Sequence, residues 1–338
     1  MNKIRWGIMG YGNIAHRWIN GAMQVKELEI SSIAGRAQEN VDRFCRQYKI
    51  ENKYYSYEDI AKSDNVDCIY VATPHTSHKE LAMLAMKNGK HVLVEKPISV
   101  SEKDAAEMIN CAKENGVLLM EAMWTRFFPA VDILREIISS GKVGKVRSVH
   151  SAFSNRVQVD ISSRLFDPMQ AGGGLLDVGV YPLHFSDIIY DSEPLDIFGY
   201  AAIGTDEYHI EVDEQATFIS KYDEGAMAVM SSGIRTNIPD TAVIYTTEAM
   251  IKIPVFWKPT SFEIYSYGKD IEKYENKVEL TNYDYMDEGF QYEIRHMCEC
   301  IQKGMQESPV MTYDKSLSIM RQCDKLRRLW DLKYPFEV

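Results

Sequence analysis

The chain has 338 residues, 45% apolar and 26% charged, with a formal net charge of −11. At roughly 150 residues per domain this is room for two globular domains. The acidic balance argues against a nucleic-acid binder, which needs clustered Lys and Arg, and no apolar run approaches the ~20 residues that span a bilayer.

A strand-like segment starts within the first few residues, so no signal peptide is expected. Cys45, Cys68, Cys111, Cys298, Cys300 and Cys323 are scattered without C-x-x-C pairing, as in a reduced cytoplasmic protein. Short apolar runs over 4–9, 28–34, 68–72, 91–95 and 118–121 alternate with amphipathic stretches over 14–23, 37–48, 77–88 and 101–115. This is the pattern of a parallel sheet with crossover helices. From about Arg147 it changes. Runs over 146–153, 195–203, 215–222, 226–234, 242–247, 250–254 and 262–267 read as strands joined by short polar turns, and helices are expected over 286–303 and 315–334. The predicted fold is α/β: a Rossmann domain over 1–122 with a parallel sheet, then an α+β domain over 123–338 on a large open, mainly antiparallel sheet.

The first strand runs into GIMGYGNIA over 7–15. Gly10 permits a tight turn, Gly12 lets the backbone approach a pyrophosphate, and Ala15 keeps the following helix close to the strand. The free N–H groups and partial positive charge of that helix suit a dinucleotide. At the end of the second strand, a cofactor with a free ribose 2′-OH is normally met by Asp or Glu. Here Gly35 offers no carboxylate and Arg36 offers a planar cation fitted to a 2′-phosphate. The reading favours NADP(H), with NAD(H) possible; a plain solvated role for Arg36 is the alternative.

Thr73, Pro74, His75 and His78 close the fourth strand at the edge where such sheets bind ligands, and Ser77 doubles as an N-cap candidate. Glu95, Lys96 and Pro97 end the fifth strand at the same edge. Packing explains a Lys there poorly, Pro97 restrains the chain beside it, and a nearby nicotinamide would lower its pKa by like charge. An ordinary surface Lys is the alternative. Further on stands GGGLLDVGVYPLH over 172–184. On a helix Asp177 and Tyr181 share one face. The three glycines read as room for a bulky approach, and a cation near Tyr181 would favour its phenolate. A core tyrosine is the competing reading. Pro182 signals a helix start or kink, and His184 reads as structural.

Together these residues resemble the glucose–fructose oxidoreductase / inositol dehydrogenase (Gfo/Idh/MocA) family. The match rests on GIMGYGNIA, on Glu95-Lys96-Pro97 at the expected distance and on the later Asp-bearing helix. Residues 122–129, AMWTRFFP, and the Arg164 to Tyr181 stretch look like its dimeric dihydrodiol dehydrogenase and NADP-dependent xylose dehydrogenase branch. The resemblance implies Lys96 and Tyr181 as the proton-transfer pair with Asp177 in support. It implies cofactor contacts from Gly10, Tyr11, Gly12, Asn13, Ile14, Arg36, Thr73, His75, His78, Glu95, Lys96 and Arg164. It implies Trp124, Arg126 and Phe128 in the substrate cleft with Asp177 and Tyr181, and a homodimer or homotetramer packed through the C-terminal sheet. Many members carry His where Tyr181 stands, so that assignment follows the narrower branch.

The expected activity is hydride transfer to or from a small sugar, polyol or diol. No metal-ligand spacing and no G-x-S-x-G elbow points elsewhere. Two rivals share the fold: a glycoside hydrolase that recycles bound NAD(H), and a sensor that binds dinucleotide or sugar without turnover.

Overall fold

A computed structural model describes residues 3–204, 209–267, 271–275 and 289–337, which form two compact units. The first takes the chain through Trp124. It contains β1 (Ile4–Met9), α1 (Asn13–Ala22), β2 (Leu28–Ala34), α2 (Gln38–Tyr48), β3 (Asn52–Tyr54), α3 (Tyr57–Lys62), β4 (Cys68–Val71), α4 (His78–Lys87), β5 (His91–Glu95), α5 (Glu102–Asn115) and β6 (Leu119–Ala122). Its six strands are all parallel in the order β3-β2-β1-β4-β5-β6. The five expected strands and four expected helices are present. The short β3 and α3 were not foreseen, because three and six residues are too few to show a period.

Parallel strands are covered on both faces, and Cys68–Val71 of β4 and Val92–Val94 of β5 are accordingly 0% exposed. Each such aliphatic side chain contributes roughly 1.5–3 kcal/mol by leaving water. Trp18 of α1 stacks on Tyr70 of β4, ring centroids 4.2 Å apart, and fixes the helix against the sheet. Met9 is in register with both Ala34 and Val71, and Val71 with Val94. The C-terminal ends of β1, β2, β4 and β5 therefore form one level edge, with the strand order reversing between β1 and β4. Ligands bind at that switch point in sheets of this kind.

The second unit takes Thr125 onward and, later, Ser318 to the C-terminus. It contains α6 (Pro129–Ser139), β7 (Val146–Ser154), a one-turn π-helix over Leu175–Gly179 running into α7 (Val180–Tyr190), and β8 to β14. These last strands are Asp196–Ile203, Asp213–Lys221, Met227–Gly233, Ala242–Thr246, Ala249–Ile253, Ser261–Ser266 and Ile271–Glu275. They and β7 make an eight-stranded sheet, β14-β13-β12-β11-β7-β10-β9-β8, antiparallel except where β7 and β10 run parallel. The helix expected to carry Asp177 and Tyr181 is this π turn running into α7, whereas α6 did not feature among the predicted elements; Pro129 at the first helical position was the available signal for it.

The next helix, α8 (Phe290–Gln302), belongs to the first unit and packs on α1, where a Cβ at Gly21 would lie 2.8 Å from Phe290 Cβ. The expected division at 122/123 is corrected accordingly: the chain returns to its first unit before ending in α9 (Tyr313–Leu329). Residues 286–288 of the expected helix lie outside the described residues. Among the described residues no helix is long and apolar enough to cross a membrane, and no group of His, Cys, Asp or Glu is arranged to hold a metal ion.

Candidate active site

The glycine turn joins β1 to α1. Gly10 adopts φ +105°, and a Cβ there would also lie 2.7 Å from the Ala72 carbonyl, so the turn needs glycine twice over. Gly12 is the opposite case: a Cβ would meet nothing within 4 Å. Gly12 caps α1 without a side-chain bond, and the N–H groups of Asn13 and Ile14 have no hydrogen-bond partner among the described residues. Open space above unsatisfied donors at a helix N-terminus is what a pyrophosphate requires.

At the end of β2, a Cβ on Gly35 would lie 2.2 Å from Tyr11 Cε1. The ring of Tyr11, from the glycine turn, occupies the place where other sheets of this kind carry their acid. Next to it Arg36 is exposed, its guanidinium carbon 5.8 Å from the ring centre of Tyr57 on α3. Burial pushes the Tyr57 phenol up, so the ring under Arg36 stays neutral. Tyr57 was missed from the sequence because α3 was missed. Gly35→Ala is expected to displace Tyr11 and raise the dinucleotide Kd about threefold to tenfold, the low end of an overpacking cost; fluorescence titration measures it, and an unchanged Kd would remove Tyr11 from the site.

At the β4 edge, Ser77 Oγ lies 3.0 Å from Thr73 Oγ1 and 2.8 Å from the Pro74 carbonyl, and does not cap α4 as expected. His75 is 6% exposed. His78, expected to touch the cofactor, is 1% exposed, with Nδ1 2.9 Å from the Pro97 carbonyl and Nε2 2.9 Å from the Thr73 carbonyl. Burial pulls it down to about 4, against the two carbonyls, which favour its protonated form. It ties the end of β4 to the turn after β5, so its role is corrected from ligand contact to support of the Lys96–Pro97 turn, whose peptide bond is cis.

Glu95 is likewise buried. It accepts hydrogen bonds from the Tyr70 hydroxyl and, at 3.2 Å, from the Lys96 N–H. Burial pushes its carboxyl up, against the opposing pull of Tyr70 and Lys96. Glu293 of α8 was not anticipated. It is 0% exposed, has no hydrogen-bond partner among the described residues, and is driven well above the carboxylate range by burial and then by Glu95. It stands as a neutral acid in the wall that carries Glu95.

Trp124 and Phe290 stack at 4.4 Å, with the Arg17 guanidinium 5.9 and 5.7 Å from their ring centres. Trp124 is thereby left 3% exposed. In the second unit Arg126 donates to Asp187 at 2.5 Å and to His184 Nδ1 at 3.1 Å, a buried pair. Phe128 is 0% exposed. The expectation that Arg126 and Phe128 line the substrate cleft is corrected, since one is committed to a buried ion pair and the other has no surface. His184 is structural, as read.

Asp177 lies in the π turn, where the Val180 N–H donates to the Leu175 carbonyl five residues back, and Tyr181 is the second residue of α7. The offset bonding accommodates Pro182, whose missing donor would otherwise interrupt the helix. Arg164 donates to Asp177 at 2.8 Å. Tyr181, 8% exposed, has its ring against Phe153 at 5.1 Å and Trp257 at 6.5 Å, and those two stack on each other at 5.2 Å. Phe153 was read only as a strand end and Trp257 not at all. The three glycines do not keep room for a ligand: Cβ atoms at Gly172 and Gly173 would strike the Leu165 carbonyl at 2.6 Å and Asp213 Oδ1 at 2.1 Å.

Residues 4–123 match an oxidoreductase family with an NAD-binding Rossmann fold, and residues 131–252 match the GFO/IDH/MocA C-terminal domain. The chain belongs to the Gfo/Idh/MocA oxidoreductase family. This Gfo/Idh/MocA member is an NAD(P)-dependent oxidoreductase. It is 32% identical over 338 residues to a mouse trans-1,2-dihydrobenzene-1,2-diol dehydrogenase and 30% identical over 336 residues to the human one, covering 98% of each chain in both pairs. Its fold matches an aldose–aldose oxidoreductase from Caulobacter crescentus (TM-score 0.87, 23% identity, 97% of each chain). It also matches a 3-ketoreductase from Actinomadura kijaniata in complex with NADP and TDP-benzene (TM-score 0.85, 23% identity, 97% and 98% of the chains).

Proposed function

We propose that this oxidoreductase is an NADP(H)-dependent dehydrogenase of a CH–OH group in a small diol, polyol or sugar. The observation that carries the reading is the single sheet edge of the first unit, which gathers the open Gly12 turn, Arg36 and Lys96. Full-length identity of about 30% to dihydrodiol dehydrogenases supports the substrate class.

Gly12, Asn13 and Ile14 would hold the pyrophosphate through backbone N–H groups, on the turn that Gly10 closes by donating its own N–H to the Ala34 carbonyl, with Tyr11, Thr73, Pro74 and His75 beside it and Arg36 on the 2′-phosphate. Bound nicotinamide supplies hydride transfer at its ring carbon. Tyr181 Oη takes the proton of the substrate hydroxyl, or returns it to the carbonyl oxygen in the reverse direction. The Lys96 ammonium, steadied by Glu95 and by the turn that His78 supports, favours the phenolate by its charge. Asp177, held by Arg164, orients the hydroxyl, and Phe153 and Trp257 present apolar ring surface to the substrate carbon skeleton, a role that the buried Trp124, stacked on Phe290, does not share.

A homodimer or homotetramer covers the open face of the eight-stranded sheet. Phe198, Tyr200, Ile219 and Met227, 44–76% exposed, share that face by register. None of the six buried cysteines forms a disulfide among the described residues, which supports a cytoplasmic setting.

The test is a substrate panel of trans-dihydrobenzenediol, aldoses and polyols, each with NADP and NAD, followed by nicotinamide absorbance. Net reduction of NADP by at least one diol or aldose is the expected result. Binding of NADP with no turnover across the panel would favour the sensor, and glycoside cleavage without net absorbance change the hydrolase.

A further inference from the structure

We propose that Asp213 is the positioning residue of the proton-transfer segment: from the start of β9 its carboxyl caps the helix that carries Asp177 and Tyr181, and so sets where Tyr181 stands. The inference rests on the reading of Tyr181 given above.

The first four N–H groups of any helix need partners from outside it. Here the residues ahead of the helix are Gly172, Gly173 and Gly174, which have no side chain to give, and Gly174 at the cap position makes no side-chain bond. The partner comes from 38 residues further along the chain. Asp213 Oδ2 accepts the N–H of Leu175, the first residue of the π turn, at 2.6 Å. The fit is close. A Cβ at Gly173 would lie 2.1 Å from Oδ1 and one at Gly174 3.4 Å from Oδ2, and Gly173 adopts φ +109° to pass the carboxyl. Gly173 is thus the complement of Asp213, while Gly172 makes room for the Leu165 carbonyl and Gly174 for the Gly233 backbone.

Asp213 is 0% exposed, and its Oδ1 has no hydrogen-bond partner among the described residues. A site that only had to fill space would be apolar, and one that only had to cap would tolerate an exposed serine; a buried carboxyl against a helix mouth does both. Burial pushes the acid up to about 7, with the helix-mouth N–H groups and Arg327 of α9 pulling the other way. From the cap to Tyr181 the chain is one continuous helical run, Leu175–Gly179 into Val180–Tyr190, so a shift at Leu175 is carried directly to Tyr181.

The experiment compares Asp213→Asn, which keeps shape and acceptor, with Asp213→Leu, which keeps volume and loses the acceptor. For each, kcat and KM are measured with the substrate found active, NADP Kd by fluorescence titration, and Tyr181→Phe is run in parallel. We expect Asp213→Leu to lose kcat about 10- to 100-fold, the scale of a small misplacement of a reacting group, with NADP Kd unchanged. Asp213→Asn should restore most of the turnover. Full turnover in Asp213→Leu overturns the proposal. So does a parallel collapse of kcat and NADP binding, because the carboxyl then supports the fold at large. An active Tyr181→Phe defeats the reading of Tyr181 itself, whereas an inactive Tyr181→Phe beside a fully active Asp213→Leu defeats only the positioning role.

Discussion

Tyr181→Phe is expected to lower kcat by about 10²–10⁴-fold, the range for losing a positioned acid–base group, while the KM for NADP stays near its parent value. The substitution is clean because phenylalanine keeps the ring against Phe153 and Trp257 and removes only the hydroxyl. Lys96→Ala should fall in the same range. The hydrogen bonds of its neighbours, Glu95 with Tyr70 and Pro97 with His78, do not involve its side chain, although Glu95 loses the pull of its charge. Two groups that act as a unit are not additive, so the double variant should be no slower than the slower single one. Steady-state kinetics on the three variants decide the matter. Retention of more than about a tenth of the activity by either single variant would end the proposed relay. Multiplying losses in the double variant would mean that Lys96 and Tyr181 act independently.

The strand, turn and helix on which the proposed nucleotide site rests were legible in the sequence because they are local. A strand, a glycine turn and a helix follow one another over 4–22, and the ends of β2 and β5 are marked by breaks in apolar runs that parallel pairing then levels into one edge. The second half of the candidate site was only partly legible. Asp177 and Tyr181 belong to one short segment and could be read together, but what holds them is distant in sequence. Arg164 is 13 residues from Asp177 and Asp213 is 38 from Leu175. The aromatic frame of Tyr181 comes from β7 and from Trp257 after β12. Phe128 and Arg126 misled for the same reason. An aromatic-and-arginine stretch fits a cleft or a core equally well, and only the partner, here Asp187, tells them apart. Likewise His78 looked like a ligand contact at a sheet edge, until two carbonyl oxygens, one on each side, accounted for both of its nitrogens.

Arg36→Ala should raise the KM for NADP about 10- to 100-fold and leave that for NAD nearly unchanged. The scale follows from charge-assisted hydrogen bonds worth about 1.5–3 kcal/mol, which only the 2′-phosphate can make. Position 35 strengthens the case. An acid there would bind a free 2′-OH and repel the phosphate, yet the Tyr11 ring leaves no space for any side chain. The second strand therefore ends without a negative charge for steric reasons, and Arg36, resting on Tyr57, is the charged group beside it. Tyr57→Leu, which removes the ring under the guanidinium but not the cation, should cost NADP only a few-fold, in line with about 0.5–1 kcal/mol for an exposed cation–π contact. Because Arg36 is exposed, its preference must also weaken with salt, as the Debye length shrinks from about 10 Å at 0.1 M to about 3 Å at 1 M. Equal losses for NADP and NAD in Arg36→Ala would show that Arg36 steadies the adenosine without reading its phosphate, and a preference indifferent to salt would assign the discrimination to shape instead of charge.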